Sequence, residues 1–250
     1  MLRLIVPLTL FLLSIGAATA QSNTIFISQG KIEYERSINV YAQYNNDEHG
    51  EWNELRKKLS THFKTAYFDL LFNRTKSLYR PGRESNDKDN AFMFQPPAQN
   101  NTIYSDLDGE KAISQKNIFE ELFLVQDSLR KIKWKITTET RNIAGFSCRR
   151  ANAIIMDSIY VVAFYTDEIL TSGGPESFTG LPGMILGVAL PHEHVSWFAT
   201  KVEALTVSDT QLVPPAKGKK TDNATLLQMI RKSLKDWGKE GQRYMQAALL

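Results

Sequence analysis

The segment around residues 150–190 constrains the fold more than any other part of the chain. Two strongly apolar stretches, 158–165 and 184–190, flank a loop that is rich in Gly and Pro. Apolar runs of this length, bounded by turn-forming residues, are typical of buried β-strands. With 150–156 they predict a hairpin through Asp157, followed by a long loop and a third strand.

The loop at 166–183 combines Gly173-Gly174-Pro175 with a second Gly/Pro group at 180–183. Pro182 presets φ near −65° and Gly183 accepts a positive φ, so 181–184 is predicted to form a type II turn. A structured loop of this length either binds something or only sets the shape of a corner. The candidate ligand or partner residues are Gly174, Pro175, Gly180, Leu181, Pro182 and Gly183.

The remaining periodicity predicts an α+β fold that is mostly antiparallel β. The segment 131–136 alternates, with Ile132, Trp134 and Ile136 on one face and lysines on the other. Helices are predicted over 50–63 and, as an amphipathic helix, over 222–248. The expected architecture is a curved sheet or half-barrel with these two helices. Further strands are predicted at 31–43, 66–72, 77–79, 122–125 and 195–207.

The N-terminus has the three regions of a secretory signal peptide. Arg3 precedes an apolar stretch at 4–15, and small residues follow at Ala18 and Ala20. This order predicts cleavage after Ala20 and export to the periplasm or outer membrane. The alternative is a retained membrane anchor, although the apolar run is short for a bilayer span.

Charge is distributed unevenly along the chain. Residues 217–250 contain eight basic and three acidic side chains, a net +5, whereas 21–216 carries −3. The C-terminal helix is therefore expected to dock on the body or to make peripheral contact with an anionic membrane. An export signal and the absence of a recognition motif argue against nucleic acid as a partner.

Two groups of residues suggest chemistry. His192 and His194 flank Glu193, and on an extended backbone both imidazoles would share a face and could bind one metal. Cys148, His49, His62 or a carboxylate could serve as a further ligand. The alternative is a polar turn between strands. Cys148 precedes Arg149 and Arg150, which could lower the pKa of its thiol, but a buried structural cysteine is the alternative interpretation. His-Glu-x-x-His and Gly-x-Ser-x-Gly are both absent.

The segment Gly180-Leu181-Pro182-Gly183-Met184-Ile185-Leu186 resembles the sequence that names the GLPGLI family, a Porphyromonas-gingivalis-type family. Met184 replaces the leucine of the family name, a volume-conserving change. The resemblance extends over about residues 31–207. Its other blocks, in the same order, are 132–136, 139–151, 163–169, 174–178 and 197–202.

This resemblance implies an exported envelope protein of Bacteroidetes-type bacteria, encoded near outer-membrane TonB-dependent receptors. It supplies no activity. The expected domains are a signal peptide (1–20), a GLPGLI-type β-rich domain (21–210), a linker (211–220) and the C-terminal helix (221–250). We therefore expect a non-enzymatic accessory protein, without a cofactor, that binds an apolar ligand or a TonB-dependent receptor. Metal binding through His192 and His194 is the alternative, and a thiol-dependent or hydrolytic enzyme at Cys148 is a weaker one.

Overall fold

The computed structural model describes residues 26–45, 61–85 and 98–250, together with Glu54 and Lys58. These residues form one open sheet of twelve strands with few helices. Every neighbouring pair of strands is antiparallel except the pair that joins the last strand to the sixth. The expectation of a mostly antiparallel β fold is therefore confirmed.

The sheet order is β12-β6-β5-β4-β3-β2-β1-β11-β10-β9-β8-β7. In chain order the strands are β1 (Gly30–Asn39), β2 (Phe63–Phe72), β3 (Lys76–Pro81), β4 (Thr102–Asp106), β5 (Lys111–Ile118), β6 (Glu121–Ser128), β7 (Lys135–Ile143), β8 (Phe146–Ile155), β9 (Ile159–Thr166), β10 (Met184–Leu190), β11 (Val195–Ala204) and β12 (Lys219–Thr221). The described helices are α1 (Val40–Asn45), α2 (Asn223–Ser233) and α3 (Gly238–Leu249), with short 3-10 turns at Pro191–Glu193 and Asp209–Gln211.

One face of the sheet is covered and carries the main core. Along β1, Ile32, Tyr34, Arg36 and Ile38 are buried, and the residues between them are only half-buried. Side chains alternate between the faces of a strand, so this pattern identifies the covered face. The long loop before β10 packs on it, because its buried apolar residues belong to the same core cluster as those of β1 and β2.

Position 183 requires a glycine because the backbone there lies very close to the backbone of Thr166. The φ of Gly183 is +142°, and a Cβ at this position would lie 2.1 Å from the carbonyl oxygen of Thr166. The predicted type II turn is absent. The Gly183 amide donates to the Leu181 carbonyl at 2.8 Å, which closes a three-residue γ-turn around Pro182, and the Met184 amide donates instead to Ile169.

Some of the predicted strands were wrong in extent, including 195–207, which ends at Ala204. The first strand ends at Asn39, where α1 begins, instead of continuing to residue 43. Residues 131–134 are not in a strand, because the Trp134 indole donates to the Thr179 carbonyl at 2.9 Å and lies against the loop. The predicted helix at 50–63 lies largely outside the described residues. Glu54 and Lys58 within it are helical, and Phe63 already belongs to β2.

The C-terminal segment forms two helices instead of the single one expected. The helical backbone is interrupted between Ser233 and Gly238, where Gly238 adopts φ +55°. Buried residues of α2 and α3 form one apolar cluster with Ile118 and Phe123 of the sheet. Residues 211–220, expected to be a linker, end in β12, which pairs in parallel with β6. Within the described residues no helix is both long and apolar enough to cross a membrane.

Candidate functional site

A cluster of polar side chains is buried on the covered face of the sheet, where α3 meets the loop before β10. Each member has at most 4% of its surface exposed. They come from β1, β3, the residue before β4, β5, the loop and β11. We call the following residues the polar cluster: Arg36, Tyr79, Asn101, Lys116, Glu176 and Trp197. Buried charged groups are costly unless they are paired, so such a cluster marks a site that packing alone does not explain.

The loop supplies the only carboxylate of the polar cluster. Glu176 has φ +51°, and its Oε2 accepts a hydrogen bond from Asn101 Nδ2 at 2.9 Å. Burial raises the pKa of Glu176 and outweighs the opposing effects of that hydrogen bond and of the nearby cations. The Glu176 carboxylate is therefore shielded from solvent, and its described hydrogen-bond partner is Asn101.

Arg36 is the cation closest to the centre of the sheet. Its Nη1 donates to the Gln99 carbonyl at 2.7 Å and its Nη2 to Gln99 Oε1 at 2.8 Å, while the guanidinium lies 5.0 Å from the centre of the Phe68 ring. Burial lowers the pKa of Arg36 from its usual value, but an arginine stays protonated in a protein. Its two described hydrogen bonds go to neutral oxygens, and the Glu176 carboxylate compensates its charge only through longer-range attraction.

Two further cations bind the C-terminal end of α3. Lys116 Nζ donates to the Ala248 carbonyl at 3.1 Å, and Arg130 Nη2 donates to the Leu249 carbonyl. The last carbonyls of a helix carry partial negative charge and have no intrahelical partner, so both contacts hold α3 in place. Burial lowers the pKa of Lys116 to about 8.

Several polar atoms in this region lack a hydrogen-bond partner. The Tyr79 hydroxyl lies near Glu176 and Trp197 and interacts with both electrostatically, but neither contact has the geometry of a hydrogen bond. An unsatisfied buried donor or acceptor costs about 1–3 kcal/mol, so a group of them in one place requires a physical explanation. The unpaired atoms are Arg36 Nε, Tyr79 Oη, Asn101 Oδ1, Arg130 Nη1 and Trp197 Nε1.

A cavity of about 80 Å³ opens next to these atoms. This is well above the roughly 10–15 Å³ that a cavity needs to hold one water molecule. Arg36, Asn101, Glu176 and Trp197 line its polar side. Most of the surface that faces the cavity is apolar and includes Ile38 and Val195 of the sheet and Ala247 and Leu250 at the end of α3. Glu193 and Arg243 add one further acidic and one further basic side chain to the lining.

The predicted ligand or partner loop has mainly structural contacts. Gly174, Pro175, Leu181 and Gly183 are buried, whereas Gly180 and Pro182 are exposed. A Cβ on Gly174 would lie 2.7 Å from the Phe178 carbonyl oxygen, so this glycine permits a tight bend. The same bend carries Glu176 into the polar cluster. The loop thus reaches the cavity through a residue that the sequence did not single out, and its role in binding stays a prediction.

His192 lies in the 3-10 turn Pro191–Glu193 and is exposed, and His194 ends that turn with φ +54°. The backbone here is not extended, so this segment is the polar turn between strands that was the alternative interpretation. Cys148 is buried in β8. Among the described residues, no group of three or more His, Cys, Asp or Glu side chains is placed to hold a metal ion. The metal site stays a prediction.

Cys148 has the opposite electrostatic environment from the one that a reactive thiol requires. Burial raises the pKa of its thiol to about 12. Neither arginine lowers this pKa, because Arg149 is exposed and the Arg150 guanidinium is paired with Glu139 at 2.7 Å. The alternative of a buried structural cysteine fits this geometry.

Sequence reasoning missed every member of the polar cluster. One local signal was present: Arg36 occupies the same register as Ile32, Tyr34 and Ile38, so a charge interrupts an apolar face. Lys116 similarly alternates with Ser114 and Ile118, all three of which are buried in β5. A charged residue in the buried register of a strand is uncommon enough to indicate a site.

The fold has similar solved structures. The chain aligns with PNGF-II in a C2 crystal form at a TM-score of 0.51 and 18% identity, and in a P21 form at 0.52 and 17%. These alignments include 82% of this chain but only 33% and 34% of the PNGF-II chains. The chain thus spans about a third of their length, and at this identity the likeness concerns the fold alone.

A family described as "Protein of unknown function (Porph_ging)" matches residues 154–187. The matched segment runs from the end of β8 through β9 and the loop into β10, and so includes Glu176 and the six predicted loop residues. The match agrees with a Porphyromonas-gingivalis-type, Bacteroidetes-type family for this segment. No curated protein matches the chain.

Proposed function

We propose that this protein is a non-enzymatic binding protein of the bacterial envelope, and that the cavity between α3 and the sheet holds a small, largely apolar ligand. The observation that carries the proposal is the cavity itself, about 80 Å³ of space between Trp197, Val195 and Leu250. Ligand sites are concave and mostly apolar, with a few polar groups that fix orientation.

The surroundings of the cavity support a ligand more than a catalytic role. Its walls come from rigid strands and from α3, whose end is held by Lys116 and Arg130. The only carboxylate of the polar cluster is already bonded to Asn101, and the chain's one thiol has a raised pKa. Neither group is arranged as a nucleophile with a base beside it.

Binding of 1-octanol, measured by isothermal titration calorimetry, tests this proposal. Its apolar chain and single hydroxyl suit a cavity whose surface is mostly apolar with a few polar groups. We expect one saturable site per chain. Ala247→Phe, which places a ring in the cavity from α3, should abolish binding.

Ala224→Phe is the matched control, because Ala224 is an exposed residue of α2 and does not line the cavity. It should bind octanol as the unmodified protein does. Absence of binding by the unmodified protein, or an equal loss in both variants, would contradict the proposal.

Export and family membership belong to the same proposal. The N-terminal signal features and the GLPGLI resemblance support cleavage after Ala20 and a periplasmic or outer-membrane location. N-terminal sequencing of the protein recovered from cells tests this, with Gln21 expected as the first residue and Met1 as the contrary result. Partnership with an outer-membrane TonB-dependent receptor, and peripheral membrane contact through the C-terminal helices, remain predictions.

A further inference from the structure

We infer that the ligand of this cavity is a monocarboxylate with an apolar chain, whose carboxylate binds Arg36 Nε and Trp197 Nε1. This inference rests on the proposed function and names the ligand class. It follows from the placement of the unpaired atoms, from the balance of charge and from the lining of the cavity.

The two unpaired donors belong to directly paired residues. Arg36 on β1 is the cross-strand partner of Trp197 on β11, and both side chains are on the covered face and line the cavity. Directly opposite residues of an antiparallel pair have Cβ atoms about 4.5–5.5 Å apart. Arg36 Nε and Trp197 Nε1 both lack a partner, although each side chain is more than nine-tenths buried.

Two neighbouring N–H donors match the two oxygens of one carboxylate. The other two guanidinium nitrogens of Arg36 each donate a hydrogen bond to Gln99, so Nε is the nitrogen of this side chain that has no partner. A phosphate group, with three terminal oxygens, would leave more acceptors unpaired in this dehydrated place. Asn101 Oδ1, which also lacks a partner and lines the cavity, is an acceptor and can receive a water that bridges to the carboxylate.

The charge balance also favours an anion. Arg36, Lys116 and Arg130 lie around the Glu176 carboxylate, and Glu193 and Arg243 add one further acidic and one further basic side chain to the lining, so the described cations outnumber the described acidic side chains by two. Lys116 and Arg130 are partly compensated by the carbonyls at the end of α3, whereas Arg36 bonds to Gln99 and is compensated only by longer-range attraction to Glu176. A ligand carboxylate beside Arg36 would remove the cost of its buried, unpaired charge.

A pair of ligands with the same chain isolates the carboxylate. Octanoate and 1-octanol are titrated into the protein near neutral pH by isothermal titration calorimetry. We expect octanoate to bind at least about tenfold more tightly, which corresponds to 1.4 kcal/mol. Trp197→Phe removes the indole N–H and keeps an aromatic ring, and it should weaken octanoate binding about tenfold while leaving octanol unchanged.

Two further variants separate this effect from a general loss of structure. Arg36→Lys keeps the charge but removes Nε, and it should also weaken octanoate selectively. Trp134→Phe is the matched control, because the Trp134 indole donates to Thr179 outside the cavity, and it should keep the full preference.

The outcomes distinguish the two proposals. Equal affinities for octanoate and octanol would overturn the inference and leave the proposed function standing. If neither ligand binds, the proposed function fails as well. A preference for octanoate that survives both Trp197→Phe and Arg36→Lys would also overturn the inference, because the anion would then bind elsewhere.

Discussion

Gly183 offers a direct test of the backbone geometry that joins the loop to β10. In Gly183→Ala, the new Cβ would lie 2.1 Å from the Thr166 carbonyl oxygen and 3.0 Å from Asp167 Cα, at a φ of +142°. Backbone strain at such a φ costs about 1–3 kcal/mol, and forcing the two segments apart adds a similar amount. We expect the free energy of unfolding to fall by about 2–6 kcal/mol, measured by urea denaturation followed by circular dichroism.

Gly180→Ala is the matched control for this change. Gly180 also has a positive φ, +90°, but a Cβ there would meet nothing closer than Trp134 Nε1 at 3.7 Å. Gly180→Ala should lower the free energy of unfolding by about 1–2 kcal/mol through backbone strain alone. The lower conformational entropy of its unfolded chain should offset part of this loss. If Gly183→Ala were no more destabilising than Gly180→Ala, the close contact between Gly183 and Thr166 would be refuted.

Three other predictions concern the buried charges, the thiol and the C-terminal helices. The pKa of Lys116 is lowered from 10.5 to about 8, so the unfolded state binds more protons between these values. The contribution of Lys116 to stability should therefore rise by about 3 kcal/mol as the pH increases through them. Urea denaturation of the unmodified protein and of Lys116→Met across this range measures the rise, and a constant difference between them would contradict it. Cys148, buried and with its pKa raised to about 12, should react with a disulfide reagent only after denaturation; rapid reaction in the native protein would argue against its burial. Truncation after residue 216 removes the buried Leu226, Ile230 and Leu234, whose burial stabilises the protein by about 1.5–3 kcal/mol each, and should lower the midpoint of thermal unfolding. If the truncated protein stays folded and only the full-length protein binds anionic vesicles, the C-terminal helices instead face a membrane.

The parts of the fold that could be predicted from the sequence are those whose structure depends on the pattern of neighbouring residues in the chain. Strands β9 and β10 follow from short apolar runs bounded by turn residues, the hairpin arm predicted at 150–156 matches the second half of β8, and Gly183 has the positive φ that its place after Pro182 suggested. The identity of the turn was not predictable. Whether the Met184 amide bonds to Leu181 or to Ile169 depends on how closely a second segment approaches, which the local sequence does not encode.

Strands with mixed polarity were harder to recognise. The sequence of β5 buries Ser114 and Lys116 together with Ile118, so its buried register is not apolar. Lys116 is accommodated because its ammonium reaches the Ala248 carbonyl, a residue far along the chain. The carbonyl that compensates the buried ammonium of Lys116 is distant in the sequence, so the residue pattern within β5 does not predict it.

The candidate site could not be predicted for the same reason. Its members range from Arg36 to Trp197 along the chain, and the sheet order alone places β1 beside β11. His192 and His194 had a clear local pattern, but a 3-10 turn and a left-handed residue replace the extended backbone on which that pattern depends. Buried charge in a strand register was therefore a better guide to this site than the spacing of the histidines.

The central claim is that a ligand occupies the cavity beside Arg36 and Trp197. The most direct test is a ¹⁵N–¹H spectrum of the four tryptophan indole N–H groups, recorded while octanoate is added. We predict that the Trp197 resonance, assigned with Trp197→Phe, shifts saturably with one octanoate per chain, as expected for a new hydrogen bond to its unpaired Nε1, while the Trp134 resonance stays in place. A Trp197 resonance that does not respond, or equal shifts of all four indoles without saturation, would contradict the account.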